Sequence, residues 1–171
     1  MPMKRKPNRI ANPVPPVADE HSRVLILGSL PSEASRAAGF YYMNPRTRFW
    51  GLLSALLGED YVHIGAEDKA RALRAHGIAL SDVILSCEIH RSADASIENA
   101  VPTDVHVILH NSRIKRIFLN GGKAYELFKR YFPELIEMAT PLPSTSPANA
   151  RSTLSDLLNA WGDAILPFLS R

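Results

Sequence analysis

Short apolar runs alternate along the chain with longer stretches of helical period. Val24-Leu25-Ile26-Leu27 is four aliphatic residues in a row, the pattern of a strand buried on both faces. Ile78 to Leu85 offers a second strand, Ile114 to Leu119 a third, and Leu135 to Met138 fits a last one. Val105 to His110 suits either a helical turn or a strand. From Arg48 to Leu57, Phe49, Trp50, Leu52, Leu53, Leu56 and Leu57 follow helical spacing, and Gly58 stops the pattern. Glu67 to Ala75 is charged and alanine-rich with Gly77 behind it, a further helix. A short helix is predicted over Ala95 to Ala100, another over Lys123 to Tyr131 after Asn120-Gly121-Gly122, and a closing one over Ser152 to Leu169. Strands alternating with helices predict an α/β fold: a mostly parallel sheet of about four strands with helices on both faces. Such sheets bind ligands outside the carboxyl ends of their strands.

Composition sharpens this in three places. A chain of 171 residues fits one domain. Prolines at 2, 7, 13, 15 and 16 beside Lys4, Arg5, Lys6 and Arg9 predict a flexible basic arm over residues 1–20, ahead of a folded domain over 21–171. The net charge is +3, and without those four cations 16 basic residues face 17 acidic ones. Affinity for a polyanion must therefore come from local placement, with the arm adding a salt-sensitive share. Cys87 is the only cysteine, which excludes an intrachain disulfide and a multi-thiolate metal or iron–sulfur centre. No apolar run reaches membrane-spanning length. A cytoplasmic monomer is expected, associated with the nucleoid if the source is bacterial.

Candidate chemistry gathers in two distant segments. Gly28-Ser29-Leu30-Pro31-Ser32 follows the first strand, where backbone turns close to a ligand, yet alone it reads rather as an ordinary strand-to-helix turn and gains weight only from its neighbours. Phe40-Tyr41-Tyr42 then sets three aromatics ahead of Asn44-Pro45; one or two should plug the core, leaving one as a stacking platform. Asn44 and Thr47 are neutral candidates for holding a water or a base edge, or equally for turn formation and helix capping. Arg46 and Arg48 suit phosphates or solvent. The second segment, Leu142 to Asn149, carries Ser144, Thr145 and Ser146 before Pro147, with Ser146 as a candidate N-cap and Pro147 as a first helical residue. Free N–H and O–H groups there suit a DNA phosphate or sugar. Ser86 is a further candidate to face a base, Asn120-Gly121-Gly122 ends a strand where it could border the cleft but reads rather as a plain turn, and His90 stands too isolated for a ligand or base.

In order, Gly-Ser-x-Pro-Ser, Phe-Tyr-Tyr-x-x-Pro-x-x-Arg-Phe-Trp, Asp82-Val83 leading to Ser86-Cys87-Glu88, and Leu-Pro-Ser-Thr-Ser-Pro-Ala-Asn resemble the uracil-DNA glycosylase superfamily over residues 23–169, most closely its hypoxanthine-DNA glycosylase branch. The resemblance implies a three-layer α/β/α sandwich, monofunctional removal of a deaminated base from DNA (hypoxanthine first, uracil next), and no cofactor or metal. It assigns Gly28, Leu30, Pro31 and Ser32 to the cleft, with Ser29 beside the reacting bond. Phe40, Tyr41 and Tyr42 fall to the extruded base, and Ser144, Thr145, Ser146 and Asn149 to the duplex; the residues themselves add Ser86 as a candidate for the base and Arg46 and Arg48 for the duplex. The family pattern Tyr-Tyr-x-His-Pro-x-Asn-x-Phe-Trp places histidine where this chain has Asn44 and the catalytic asparagine where it has Thr47. The pair Asn44 and Thr47 is expected to hold the attacking water in their stead. Two rivals stay open: a damage-binding module without turnover, and an α/β enzyme acting on a free nucleobase or nucleoside.

Overall fold

A computed structural model of the chain describes residues 8–89 and 97–169. In chain order the elements are β1 (Asn8–Ala11), β2 (Val24–Gly28), α1 (Glu33–Ala38), α2 (Phe49–Leu57), α3 (Ala66–Ala75), β3 (Ile78–Asp82), β4 (Ile84–Ile89), β5 (Ile97–Pro102), α4 (Val105–His110), β6 (Arg116–Asn120), α5 (Gly122–Tyr131), β7 (Ala139–Leu142) and α6 (Leu154–Ile165). Short 3₁₀ turns cover Pro133–Met138 and Leu166–Phe168. The central sheet is parallel throughout, in the order β3-β2-β6-β7. A smaller antiparallel sheet has the order β1-β4-β5.

The aliphatic run predicted to be buried on both faces is so. Val24 and Ile26 join a layer built with α2, α3 and α6; Leu25 and Leu27 join the opposite layer with α4, α5 and the small sheet. All four side chains are fully buried, each worth about 1.5–3 kcal/mol in transfer free energy. Alternation along one strand thus divides the core into two layers and yields the three-layer α/β/α arrangement. No helix among the described residues is long and apolar enough to cross a membrane.

Several local expectations are corrected. Residues 8–20 are not a free arm: β1 pairs with β4, Val17 bridges to Leu80, and Val14 and Val17 are buried in the core. The prolines fix extended backbone between those anchors. Lys4, Arg5 and Lys6 lie outside the described residues. The run Ile78 to Leu85 is two strands in two sheets, broken at Val83. The region predicted as a helix over Ala95 to Ala100 is strand β5 from Ile97, where pairing with β4 overrides local preference; residues 95 and 96 lie outside the description. Val105–His110 is a helix capped by Asp104. Pro133 starts a 3₁₀ turn through Met138, so the last strand begins only at Ala139. No helix starts at Pro147: Asn149 N–H closes a turn onto the Ser146 carbonyl, and α6 begins at Leu154 under a reciprocal Thr153–Asp156 capping box.

Candidate active site

The parallel strands end together, and their last residues form the floor of the candidate site. Gly28 of β2 lies directly opposite Asp82 of β3, and Asn120 of β6 opposite Leu142 of β7. A Cβ at Gly28 would stand 2.6 Å from Asp82 Oδ1 and 3.3 Å from the Tyr42 hydroxyl. Only glycine lets those two groups converge over the strand end.

Asp82 is 4% exposed. Its Oδ2 accepts a hydrogen bond of 3.1 Å from Asn12 Nδ2. Burial pushes the carboxyl up from 3.8 to about 7, against the opposing pull of the Asn12 bond. It therefore exists near neutral pH in both forms, an acceptor when ionised and a donor when protonated. The hydroxyls of Tyr41 and Tyr42 feel the same burial and the same Asp82 charge, and both are held far above the usual phenol range. They remain donors at any working pH.

Tyr42 is the one aromatic of its trio placed at the strand ends. Its φ of 52° is left-handed, which costs an L-residue about 1–2 kcal/mol. Several contacts hold the strain: Trp50 Nε1–H donates to the Tyr42 carbonyl, Met43 N–H donates to Ser35 Oγ, and the Tyr42 ring stacks on Phe49 at 3.9 Å. Ser32 caps α1 and bonds Ser35, so the end of the Gly28–Ser32 segment helps to place Tyr42 indirectly. The Tyr42 hydroxyl is buried with no well-formed hydrogen bond; Asn120 approaches it but has its carboxamide committed to Thr145. Phe40 and Tyr41 are core residues instead. Phe40 stacks on Trp50, and the Tyr41 hydroxyl donates to the Pro15 carbonyl; these are the one or two rings expected to plug the core, and the assignment of both to the extruded base is corrected.

Facing this floor, the loop from Ser144 to Ser152 is largely hydrogen-bonded within the protein. Asn120 Oδ1 accepts the Thr145 N–H and Asn120 Nδ2 donates to Thr145 Oγ1, a reciprocal pair that buries Thr145. Ser144 packs on Gly121, whose φ of 98° and would-be Cβ only 2.9 Å from Ser144 Cβ both demand glycine. Asn149 Nδ2 donates to the Ser144 carbonyl and to Ser152 Oγ, and Ser146 Oγ accepts the Ala148 N–H. The Arg48 guanidinium donates to the carbonyls of Ser146, Asn149 and Ser152 at 2.6–2.9 Å, and its backbone N–H to that of Thr145. Arg48 is thus a clamp on the loop rather than a cation aimed at solvent, which corrects its expected phosphate role; Arg46 is exposed.

The turn Asn44–Thr47 links Tyr42 to Arg48 and closes with the Thr47 N–H on the Asn44 carbonyl. Asn44 Oδ1 accepts the Arg46 N–H and Thr47 Oγ1 the Phe49 N–H, the turn-forming and helix-entry roles weighed from sequence. The Asn44 NH₂ and the Thr47 O–H keep donor capacity with no acceptor among the described residues. Ser29 is half-buried beside Gly28, with its carbonyl taking the Ile84 N–H; Leu30 packs into the second core layer and Pro31 is buried. Ser86 lies apart on β4, where Arg9 donates to its hydroxyl, and is not brought to the floor. His90 lies outside the described residues.

Sequence reasoning misses Asp82 and Asn12 as site residues, while Asn120, read from sequence as a turn that could border the cleft, does stand at the strand ends. A signal existed for Asp82: a carboxylate ending an otherwise buried parallel strand is hard to solvate and rarely placed there for stability alone. None existed for Asn12, whose partner is 70 residues away.

A family model described as the uracil DNA glycosylase superfamily matches residues 15–165. A protein from Methanosarcina barkeri named hypoxanthine DNA glycosylase is 33% identical over 154 residues, covering 88% of this chain and 94% of the relative. One of the same name from Methanosarcina acetivorans is 36% identical over 141 residues, covering 80% and 87%. The solution NMR structure of a candidate uracil DNA glycosylase from Methanosarcina acetivorans superimposes with a TM-score of 0.73 at 32% identity, covering 88% of this chain and 95% of that one. On the family match across residues 15–165 and the two relatives of 33% and 36% identity, this chain belongs to the uracil DNA glycosylase superfamily.

Proposed function

We propose that the protein is a monofunctional DNA glycosylase that removes a deaminated base, hypoxanthine in the first place and uracil next, from DNA. The observation that carries this is the convergence of a buried carboxyl and an unpartnered phenol over Gly28, at the strand ends where such a fold takes its ligand. The names of the two Methanosarcina relatives favour hypoxanthine.

The chemistry follows from what these groups can do. Extruding a nucleotide costs a few kcal/mol, least where pairing is already weakened. The N-glycosidic bond then breaks with its electron pair leaving on the base nitrogen, and the sugar becomes oxocarbenium-like. The neutral Tyr42 hydroxyl donates to the departing base, and ionised Asp82 accepts an N–H of that base. Water adds to C1′, its hydroxyl to the sugar and its proton to the base, steered by the Asn44 NH₂ and the Thr47 hydroxyl. A single buried carboxyl beside a phenol does not make the paired-acid arrangement of sugar hydrolases.

Incubation with an inosine-containing duplex followed by alkali should cleave at the abasic site, with uracil and xanthine duplexes as comparison. Asn44→Ala and Thr47→Ala should each reduce release; if neither does in an active protein, water is steered elsewhere. A second reading is favoured by one feature: the Asn44 carbonyl oxygen and Thr47 Oγ1 are both engaged in turn bonds. A damage-binding module of this shape would retain lesion duplexes without producing abasic sites.

A further inference from the structure

We propose that Asn12, on the N-terminal segment, is a positioning residue of the site: it holds Oδ2 of Asp82 and so presents Oδ1 toward Gly28 and the Tyr42 hydroxyl. The inference rests on the reading that Asp82 touches the base.

The geometry leaves Asn12 little choice. Its backbone N–H donates to the Leu85 carbonyl at 2.7 Å, which fixes the residue at the start of β4. Its Oδ1 accepts the Val14 N–H at 2.9 Å, so Nδ2 is the atom that faces Asp82. Flipping the amide would set a carbonyl oxygen against a carboxylate and an NH₂ against an N–H, losing both bonds. Beyond it, Val14 and Val17 are buried, Val17 and Leu80 exchange backbone hydrogen bonds, and Pro15 takes the Tyr41 hydroxyl. The segment that looks like a tail therefore runs antiparallel along β3, from Asn12 beside Asp82 to Val17 beside Leu80, under several anchors, and delivers one donor to the buried carboxyl.

No other bond restrains that carboxyl among the described residues. The ionisable groups facing it are the hydroxyls of Tyr41 and Tyr42, both un-ionised, and no basic side chain of the described residues lies against it. Asn12 is thus the group that stabilises the ionised form, opposing burial. Removing it should turn the carboxylate loose and shift its titration upward. One hydrogen bond to a charged oxygen corresponds to about one pH unit.

The test is a titration of the Asp82 carboxyl carbon by ¹³C NMR in the full chain, assigned by its absence in Asp82→Asn, alongside the pH profile of base release from an inosine duplex. Asn12→Ala should raise the Asp82 midpoint by about one unit, and release at pH 7 should fall about five-fold as the ionised fraction drops from about half to about a tenth. Asn12→Asp keeps an acceptor for the Val14 N–H while losing the donor and adding a like charge, so it should raise the midpoint further with the turn intact. In an Asp82→Asn background, Asn12→Ala should leave the pH profile where it was. A midpoint that stays put in folded Asn12→Ala or Asn12→Asp protein overturns the inference. A midpoint that moves while the release profile does not leaves the Asn12–Asp82 link standing and removes Asp82 from the reaction. Should Asn12→Ala lower the melting point too far to titrate, Asn12→Asp decides alone.

Discussion

The floor of the site and the loop that faces it both carry polar groups, but to opposite ends. The loop from Ser144 to Ser152 is rich in hydroxyls and looks chemical, yet Asn120, Arg48 and Asn149 bond its carbonyls, amides and Thr145 hydroxyl internally. The floor holds fewer polar groups, but Asp82 has one anchored oxygen and Tyr42 none. Satisfied polar groups fix shape; unsatisfied buried ones carry a standing cost that a ligand can relieve. The loop is therefore a frame, and reactivity is expected on the floor.

The strongest way to break this contrast is Gly28→Ala. The new methyl would stand 2.6 Å from Asp82 Oδ1, and neither backbone strand nor anchored carboxyl can yield easily. Base release is expected to fall about 100-fold, the usual cost of displacing a reacting group by about 1 Å, with a stability loss of about 1–3 kcal/mol. Gly51→Ala, on the exposed face of α2 with nothing within 4 Å, serves as control and should leave release unchanged. Equal activity of both variants in the abasic-site assay would take the floor out of the chemistry.

How much of this was legible beforehand follows the range of the interactions. Val24–Leu27, the α2 stripe and the closing helix are written in local periodicity, and the sheet followed from them. Gly28 and the Ser144–Asn149 loop were legible as motifs, because glycine and hydroxyl residues cluster visibly in sequence. Residues 8–20 read as an arm because prolines and charges look the same in a tail as in an extended segment tied down by Val14 and Val17. Arg48 reads as a cation for phosphate or solvent because a cation beside a motif carries no sign of the three carbonyls, about 100 residues away, that it meets. Asp82 needed the register between β2 and β3, which no single strand contains.

Asp82 itself offers the next test, through stability. Its pKa in the folded state, about 7, lies above the value near 3.8 of an unperturbed carboxyl. The folded state then binds more protons between those limits, so stability is full below about pH 4 and declines as pH rises through 7. Asp82→Asn is expected to be more stable than wild type by about 2–4 kcal/mol at pH 8 and to differ little at pH 4, by urea unfolding at each pH. A gain of the same size at both pH values would mean the carboxyl is not strained by burial.

Arg48→Ala probes the frame. Losing a charged donor to three carbonyls should cost about 2–3 kcal/mol in urea unfolding, less than three full bonds because water reaches part of the loop. Arg48→Lys should recover only a fraction, since one ammonium cannot span three acceptors. Unchanged stability together with lost duplex binding would return Arg48 to the phosphate role.

The smallest effects separate the two adjacent tyrosines, and they differ in sign. Tyr41→Phe removes a hydroxyl that donates to the Pro15 carbonyl at 3.0 Å, so stability should fall by about 1 kcal/mol while release is untouched. Tyr42→Phe removes a buried hydroxyl without a well-formed partner, so desolvation is relieved and stability should hold or rise by up to about 1 kcal/mol. Release should nonetheless fall about ten-fold, because the donor meant for the departing base is gone. Measured by urea unfolding and single-turnover release on an inosine duplex, opposite signs in the two columns assign Tyr41 to the fold and Tyr42 to the reaction. If Tyr42→Phe instead loses stability and keeps its rate, its hydroxyl has a structural partner, and the strained backbone at Tyr42 serves packing of its ring on Phe49 rather than presentation of a hydrogen-bond donor.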